Sequence, residues 1–412
     1  MKSLIPCLLA VVVWLSAVTA RSAEQEKTPP EIELLANDLV RQLGNAKYVE
    51  REAASRELAK LGLAARQAIE QGCKNPDPEI AARCESLIPL LRVLELQGRV
   101  EELAADTEGL IENTLPLGAT YEKICGKDEN ARKFFVELCR NNLQMFDEAA
   151  SNPEKTGATY FGLVFKIVNP TNGVSCPATG GAALLLMAAD EKIGPTIDDS
   201  NSKQEKGGDR NYQRLIGIFW TPEYQAVLMD PNNGRYFRQL LFAWAKRVPE
   251  PLAMQSFLFF VQDMINKQIM NLQSGSDALE FLMHFAASTN SQGMPFQKVT
   301  AMSLVAGSSM SKNDQLAYFE EKLFKDETIL RSEVEFDLND GTKIKVETRA
   351  CDYALAICVK LSGQSFQEYG FDILGSNSDK FDSWEFAGFT KDETRQAAFK
   401  KYEQWRKANP LP

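Results

Sequence analysis

The chain has 412 residues, 44% of them apolar and 25% charged, enough to bury a substantial core and to build two or three structural units. Lysine and arginine total 46 against 56 aspartates and glutamates, a net charge of −10. Such a chain, with no basic cluster, argues against nucleic acid, whose binding needs grouped cations to displace counterions, and against a peripheral grip on anionic lipid. The short basic runs Lys400-Lys401 and Arg406-Lys407 stand beside carboxylates or at a helix end, where a solvated face accounts for them.

In residues 1–20, Lys2 gives a positive start, Leu4 to Val18 is an almost unbroken apolar stretch, and Val18-Thr19-Ala20 offers small residues for cleavage. That pattern reads as a secretory signal peptide, too short for the ~20 residues of a spanning helix. The expectation is an exported chain, periplasmic or extracellular, with no membrane insertion after cleavage. Loss of Lys2 takes the net charge from −10 to −11. Seven cysteines remain after Cys7 is removed: Cys73, Cys84, Cys125, Cys139, Cys176, Cys351 and Cys358. Cys351 and Cys358 are seven residues apart on one predicted helix, about 10 Å along its axis, too far for a bridge. Cys73 with Cys84, and Cys125 with Cys139, are possible pairs, and buried free thiols are the alternative.

A polar linker, residues 21–30, leads into four helical patterns within residues 31–110. Ile32, Leu35, Leu39, Val40 and Leu43 mark the first, stopped by Gly44; Val49, Ala53, Ala54, Leu58 and Leu61 mark the second, stopped by Gly62. Ala65, Ala68, Ile69 and Gly72 form the third, and Ile80, Cys84, Leu87, Ile88, Leu91 and Leu94 the fourth, after the turn Asn75-Pro76-Asp77-Pro78. Helices this short cannot bury their stripes alone, so neighbours must stack. At an offset of 31 residues Val49 falls on Ile80 and Ala53 on Cys84, each helix following a polar turn. The stretch VEREAASRELAKLG, Val49 to Gly62, resembles the second half of a HEAT repeat, as TRACDYALAICVKLSG near Cys351 does more distantly. The chain is thus similar to exported bacterial proteins with HEAT or armadillo-like repeats. The resemblance implies a mainly α fold of stacked helical hairpins, an α-solenoid, and transfers no functional residue.

The central region, 111–211, carries a predicted helix over Arg132 to Met145 and a strongly apolar one over Gly181 to Ala189. Tyr160 to Val168 fits either a strand or a buried helix, and Ile197 to Asn211, polar and Gly-rich, reads as a mobile loop. In 212–330, helices are expected over Phe237 to Lys246, Leu252 to Leu272, Ser276 to Ala287, Phe296 to Ala306 and Asn313 to Phe324. Residues 331–412 hold one small β-hairpin near 332–348 and the last helices. A three-residue loop ending at a left-handed Gly341 pairs Phe336 with Ile344 and Val334 with Val346; a two-residue loop would set apolar against charged faces. The C-terminal helix is expected to start at Thr390, with Glu393 closing a capping box.

His284 is the single histidine, in the apolar LEFLMHFAAS segment, and no nucleophile motif accompanies it. GxSxG, HExxH, GxxxxGK[ST] and GxGxxG are absent, and no CxxC supports a metal. No cofactor is implied. The segment Asn172 to Gly181 offers glycines before a helix and the thiol of Cys176; close packing explains the glycines as well. Asp230 to Gly234 and Asp337 to Gly341 have glycine one place too early for calcium loops and fit turns. Trp220 and Trp384 lie at turn-like segments and are the candidate binding residues, with core anchoring the alternative. The leading functional expectation is an exported scaffold that binds a protein or peptide. Two others compete with it: a hydrolase of an envelope or extracellular polymer, its site between Tyr160 and Trp220, and a structural envelope component.

Overall fold

The computed structural model describes residues 29–106, 108–168, 178–203, 208–247, 251–288, 294–337, 342–376 and 384–411. The expected signal peptide, Cys7, Cys176 and Gly341 lie outside them. Among the described residues the chain is mainly α-helical with one two-stranded sheet, and no helix is long and apolar enough to cross a membrane. The chain divides into two compact units, residues 1–102 and 103–412.

In the first unit, α1 (Pro29–Gln42) lies against α2 (Tyr48–Leu61), a 3-10 turn (Gly62–Ala65) and α3 (Arg66–Gly72); α4 (Pro78–Ala105) begins here. The stripes expected from the sequence close over one core of Leu39, Val40, Leu43, Ala54, Leu58, Ala68, Ile69, Ile80, Cys84 and Leu91. Removing a Leu or Ile of this kind from water is worth about 1.5–3 kcal/mol. Gly62 ends α2 at φ 55°, its N–H bonded to the Leu58 carbonyl, which is the stop the sequence predicts. Val49 and Ala53, assigned to the apolar stripe, are instead exposed. Ala54 and Leu58 already fill that side of the core, leaving the N-terminal turn of α2 outside it.

The α3 backbone comes close to α4 at Gly72. A Cβ on Gly72 would stand 2.4 Å from Cys84 Sγ and 3.0 Å from Val40, so only glycine admits the contact.

In the second unit, α5 (Gly118–Cys125), α6 (Glu129–Asn141), α7 (Leu143–Ser151) and α8 (Pro153–Val168) precede α9 (Ala178–Ala189). The helix expected to run to Met145 breaks at Asn142, and the ambiguous run 160–168 is helical. Every residue of α9 from Gly181 to Ala188 is buried. The helix packs on α6 and on α13, described next, and a Cβ on Gly181 would meet the Tyr224 ring at 2.3 Å. Close packing thus accounts for this glycine. Residues 193–203, which the sequence puts mostly in a loop, form helix α10 (Ile193–Lys203). The Asp190 carboxylate accepts from the Lys192 and Ile193 N–H groups at 2.9 and 3.1 Å, and Ile193 and Ile197 are buried. Two apolar contacts and a local cap suffice to order a polar segment.

Then follow α11 (Gly208–Phe219), α12 (Pro222–Met229), α13 (Gly234–Ala245), α14 (Pro251–Asn266), α15 (Asp277–Ala287), α16 (Pro295–Ala306) and α17 (Lys312–Leu323). Their core is aromatic. Phe219 meets Phe237, Trp244 and Phe260, and Phe257 meets Phe242, Trp244 and Phe281, with centroids 5.3–6.4 Å apart. α14 stops short of the expected Leu272, where Gln268 turns left-handed at φ 60°.

Strands β1 (Ile329–Asp337) and β2 (Lys343–Arg349) pair Phe336 with Ile344 and Val334 with Val346, the expected register. They lead into α18 (Ala350–Leu361), buried throughout from Ala350 to Val359. The last helix, α19 (Asp392–Ala408), starts two residues after Thr390, and its cap position, Lys391, makes no side-chain bond, so the predicted capping box does not form. An ionic contact fixes this end instead. Arg395 donates to the buried Asp352 carboxylate from Nε at 2.8 Å and Nη2 at 3.2 Å. A second pair, the buried Lys298 with the half-buried Asp326 at 2.6 Å, joins α16 to the segment before β1.

The Gly72 contact gives a stability prediction. Gly72→Ala should destabilise the full chain by about 1–3 kcal/mol through overpacking, although alanine favours a helix. In a Cys84→Ala background most of that cost should vanish. Urea unfolding of the four variants checks it, and an equal cost in both backgrounds would contradict the contact.

Candidate functional site

The residues assigned from sequence sit on different elements. Trp220 follows α11, is 40% exposed, and packs edge-on against Phe260 at 5.4 Å, with Lys267 Nζ 5.9 Å from the ring centre. Trp384 is half-buried in a 3-10 turn whose Glu385 carbonyl accepts from Thr348 of β2 at 3.2 Å and whose Phe386 meets Phe336. His284 is exposed in the last turn of α15, and partial desolvation of its ring, then the charge of Lys246, holds its pKa below the ordinary value. Asp230 accepts from the Asn232 and Asn233 N–H groups at 2.8 and 2.7 Å, a turn. Among the described residues no group of three His, Cys, Asp or Glu side chains is placed to hold a metal ion.

The region proposed for a hydrolase contains a cavity lined by residues that include Asp198, Tyr212, Trp244 and Arg247, about 10 Å³ in volume. That is room for about one water molecule and none for a polymer. Its carboxylate is occupied: Asp198 accepts from the Tyr212 hydroxyl and, at 3.2 Å, from Arg247.

Sequence reasoning missed two surface features. In the first unit, Tyr48 and Val49 are 62% and 73% exposed at the start of α2. Beneath Tyr48 runs an ionic lattice between α2 and α4. Arg83 binds Glu52 at 2.8 Å and Glu79 at 2.6 Å, and Arg51 binds Glu79 at 3.0 Å. The two guanidinium carbons lie 5.6 Å (Arg51) and 5.9 Å (Arg83) from the centre of the Tyr48 ring. Hydrogen bonding from Arg83 above all, and also from Tyr48, holds the Glu52 carboxyl below its ordinary value. An exposed aromatic thus stands beside two guanidinium groups. The signal was present in the offset of 31 residues, which places Glu52 on Arg83.

In the second unit, a recess of about 220 Å³ opens between the 109–113 loop, α5 and α6. Tyr121 and Phe135, stacked at 4.6 Å, lie at its base, and the ion pair of Glu122 and Lys127, 3.0 Å, stands at its rim. The loop is held by Asp106, which accepts from the Leu110 N–H at 3.1 Å and the Ile111 N–H at 2.7 Å and pairs with Arg132. Arg132 also donates to the Ile111 carbonyl at 3.1 Å. Among the described residues no histidine, cysteine, serine or threonine lines this recess. No periodic pattern in the sequence marks it, because a loop and two helices combine to form it.

Comparison with protein-family models, with curated proteins and with solved structures finds no match to this chain. Function has therefore to be argued from the sites themselves.

The loop anchor predicts a pH dependence. The Ile111 N–H first, then Arg132 and the Leu110 N–H, bring the Asp106 carboxyl down from 3.8 to about 2. A lowered folded-state pKa means that its support of the loop is complete above the ordinary value and lost as pH falls through about 2. The Leu110 and Ile111 amide signals in NMR should accordingly titrate with a midpoint near 2, and not at all in Asp106→Asn. A midpoint at the ordinary 3.8 would contradict the anchor.

Proposed function

We propose that the chain is an exported helical-repeat protein whose stacked hairpins hold a protein or peptide partner. In this reading α1 with α2 and α3 with α4 are two HEAT-like hairpins. Packing of α1 on α3 as well as on α2 supports it, because repeats stack first helix on first helix. The Glu52–Arg83 ion pair links positions 31 apart, which is the repeat offset. The turns before α2 and α4 are alike too: Asn45 accepts from the Lys47 N–H at 2.9 Å and Asn75 from the Asp77 N–H at 3.0 Å. Export rests on the apolar stretch and the small-residue site of the first twenty residues.

The observation that carries the binding role is Tyr48, exposed and braced by two arginines with Val49 beside it. Tyrosine and arginine are over-represented among the residues that dominate interfaces, and an aromatic already fixed in place loses little entropy on binding. The second helices of the two hairpins both contribute to this face, as the inner surface of a helical stack would.

The test is capture of partners by the immobilised chain from the envelope and secreted fractions of its own cells, followed by titration of each candidate. A saturable partner should bind tenfold or more weakly to Tyr48→Ala, whose circular dichroism should match wild type. Binding unchanged by Tyr48→Ala and by Arg83→Ala would defeat the assignment.

A further inference from the structure

Two thiols stand on one patch of the first unit's core. Cys84, in the second turn of α4, is fully buried, and Cys73, just past the end of α3, is half-buried against the same cluster. At the intervening contact the Gly72 backbone abuts Cys84 Sγ, since a Cβ there would lie 2.4 Å from it. Cys73 follows Gly72 directly in the chain. The chain between the two is held short: Cys73 N–H bonds to the Ile69 carbonyl at 3.0 Å, Asn75 N–H to Gly72 at 3.0 Å, and Asp77 accepts from Glu79 N–H at 2.9 Å. Burial, then the neighbouring Cys73, pushes the Cys84 thiol up to about 11; burial, then Glu85, raises Cys73. Cys125, by contrast, directs its thiol to the Tyr236 carbonyl at 3.7 Å.

We propose that Cys73 and Cys84, free thiols in this structure, close into a disulfide when the chain meets a small-molecule disulfide such as oxidised glutathione. The Cys73 thiol, the more accessible, loses its proton, and the thiolate attacks one glutathione sulfur. The glutathione S–S bond breaks, and the displaced thiolate takes up a proton. The Cys84 thiolate then attacks the Cys73 sulfur of the mixed disulfide and expels the second glutathione as a thiol. Two protein thiols are oxidised and one glutathione disulfide is reduced to two thiols. Because both thiols hold their protons tightly, the reaction should quicken about tenfold per pH unit below their pKa values. The bridge ties α3 to α4 and staples the hairpin, and export would supply an oxidising compartment, although the geometry does not depend on export.

The test uses the full chain, purified reduced, incubated with oxidised glutathione, quenched by alkylation and digested with trypsin. Cleavage after Lys74 and Arg83 separates the two cysteines, so QAIEQGCK and CESLIPLLR should appear as one species, lighter by two hydrogens than their sum and split by reductant. Cys84→Ser should stop at a glutathione adduct on Cys73. The proposal is overturned if wild type also stops at that adduct, or if both cysteines remain alkylated after an exposure that modifies Cys73 in Cys84→Ser. It is likewise overturned if Cys73 resists glutathione in both proteins. A chain localised to the cytosol would remove the export reading and leave this result standing.

Discussion

In residues 29–102 the three shorter helices cannot bury their own apolar faces alone, and they close on one another and on α4 around a core in which Gly72 abuts Cys84. α3 has seven residues, below the length at which a helix persists by itself in water. It survives because Ala68 and Ile69 are buried and because the missing side chain at Gly72 lets α4 come within van der Waals range. The same device recurs in the second unit, where Gly181 admits the Tyr224 ring against a helix buried on every side. Close backbone approach converts weak helices into a packed body, and it leaves the first turn of α2, with Tyr48, outside the core.

The second unit is held by different means at its two ends. Around α9 to α15 the core is a network of aromatic rings. At the C-terminal end it is partly ionic: Asp352 and Arg395 are both buried, the carboxylate also accepts from the Arg349 N–H at 2.9 Å, and burial raises its pKa to about 6 against the pull of Arg395. A pair of this kind adds little over an apolar replacement, but removal of one partner costs about 3–5 kcal/mol. It makes the docking of α19 on α18 specific, because a shifted helix would leave a charge stranded.

Much of this architecture was legible in the sequence where a single element carries its own signal. The alternation around residues 339–341 fixed the hairpin register, and the stripe from Ala350 to Leu361 and the stop at Gly62 were both readable. What failed was whatever a second element decides. Val49 satisfies the apolar spacing of α2, yet no neighbour covers it. Residues 193–203 look too polar to be helical until Asp190 caps them and two isoleucines are buried. Thr390 and Glu393 spell a capping box that is not made, and the helix end is governed by Arg395 and Asp352, forty-three residues apart in sequence. The candidate surface was legible to the same degree: the tryptophans were singled out from their own local turns, whereas the Tyr48 face needs both α2 and α4 in place.

The account is most directly exposed by the autonomy of the helical stack that presents Tyr48. Residues 29–106, produced alone and unfolded in urea while helicity is followed by circular dichroism, should be helical and melt in one cooperative transition. Gly72→Ala should lower its midpoint. A fragment with little helicity, or one that loses helicity gradually without a transition, would contradict the claim that these helices form a self-sufficient unit.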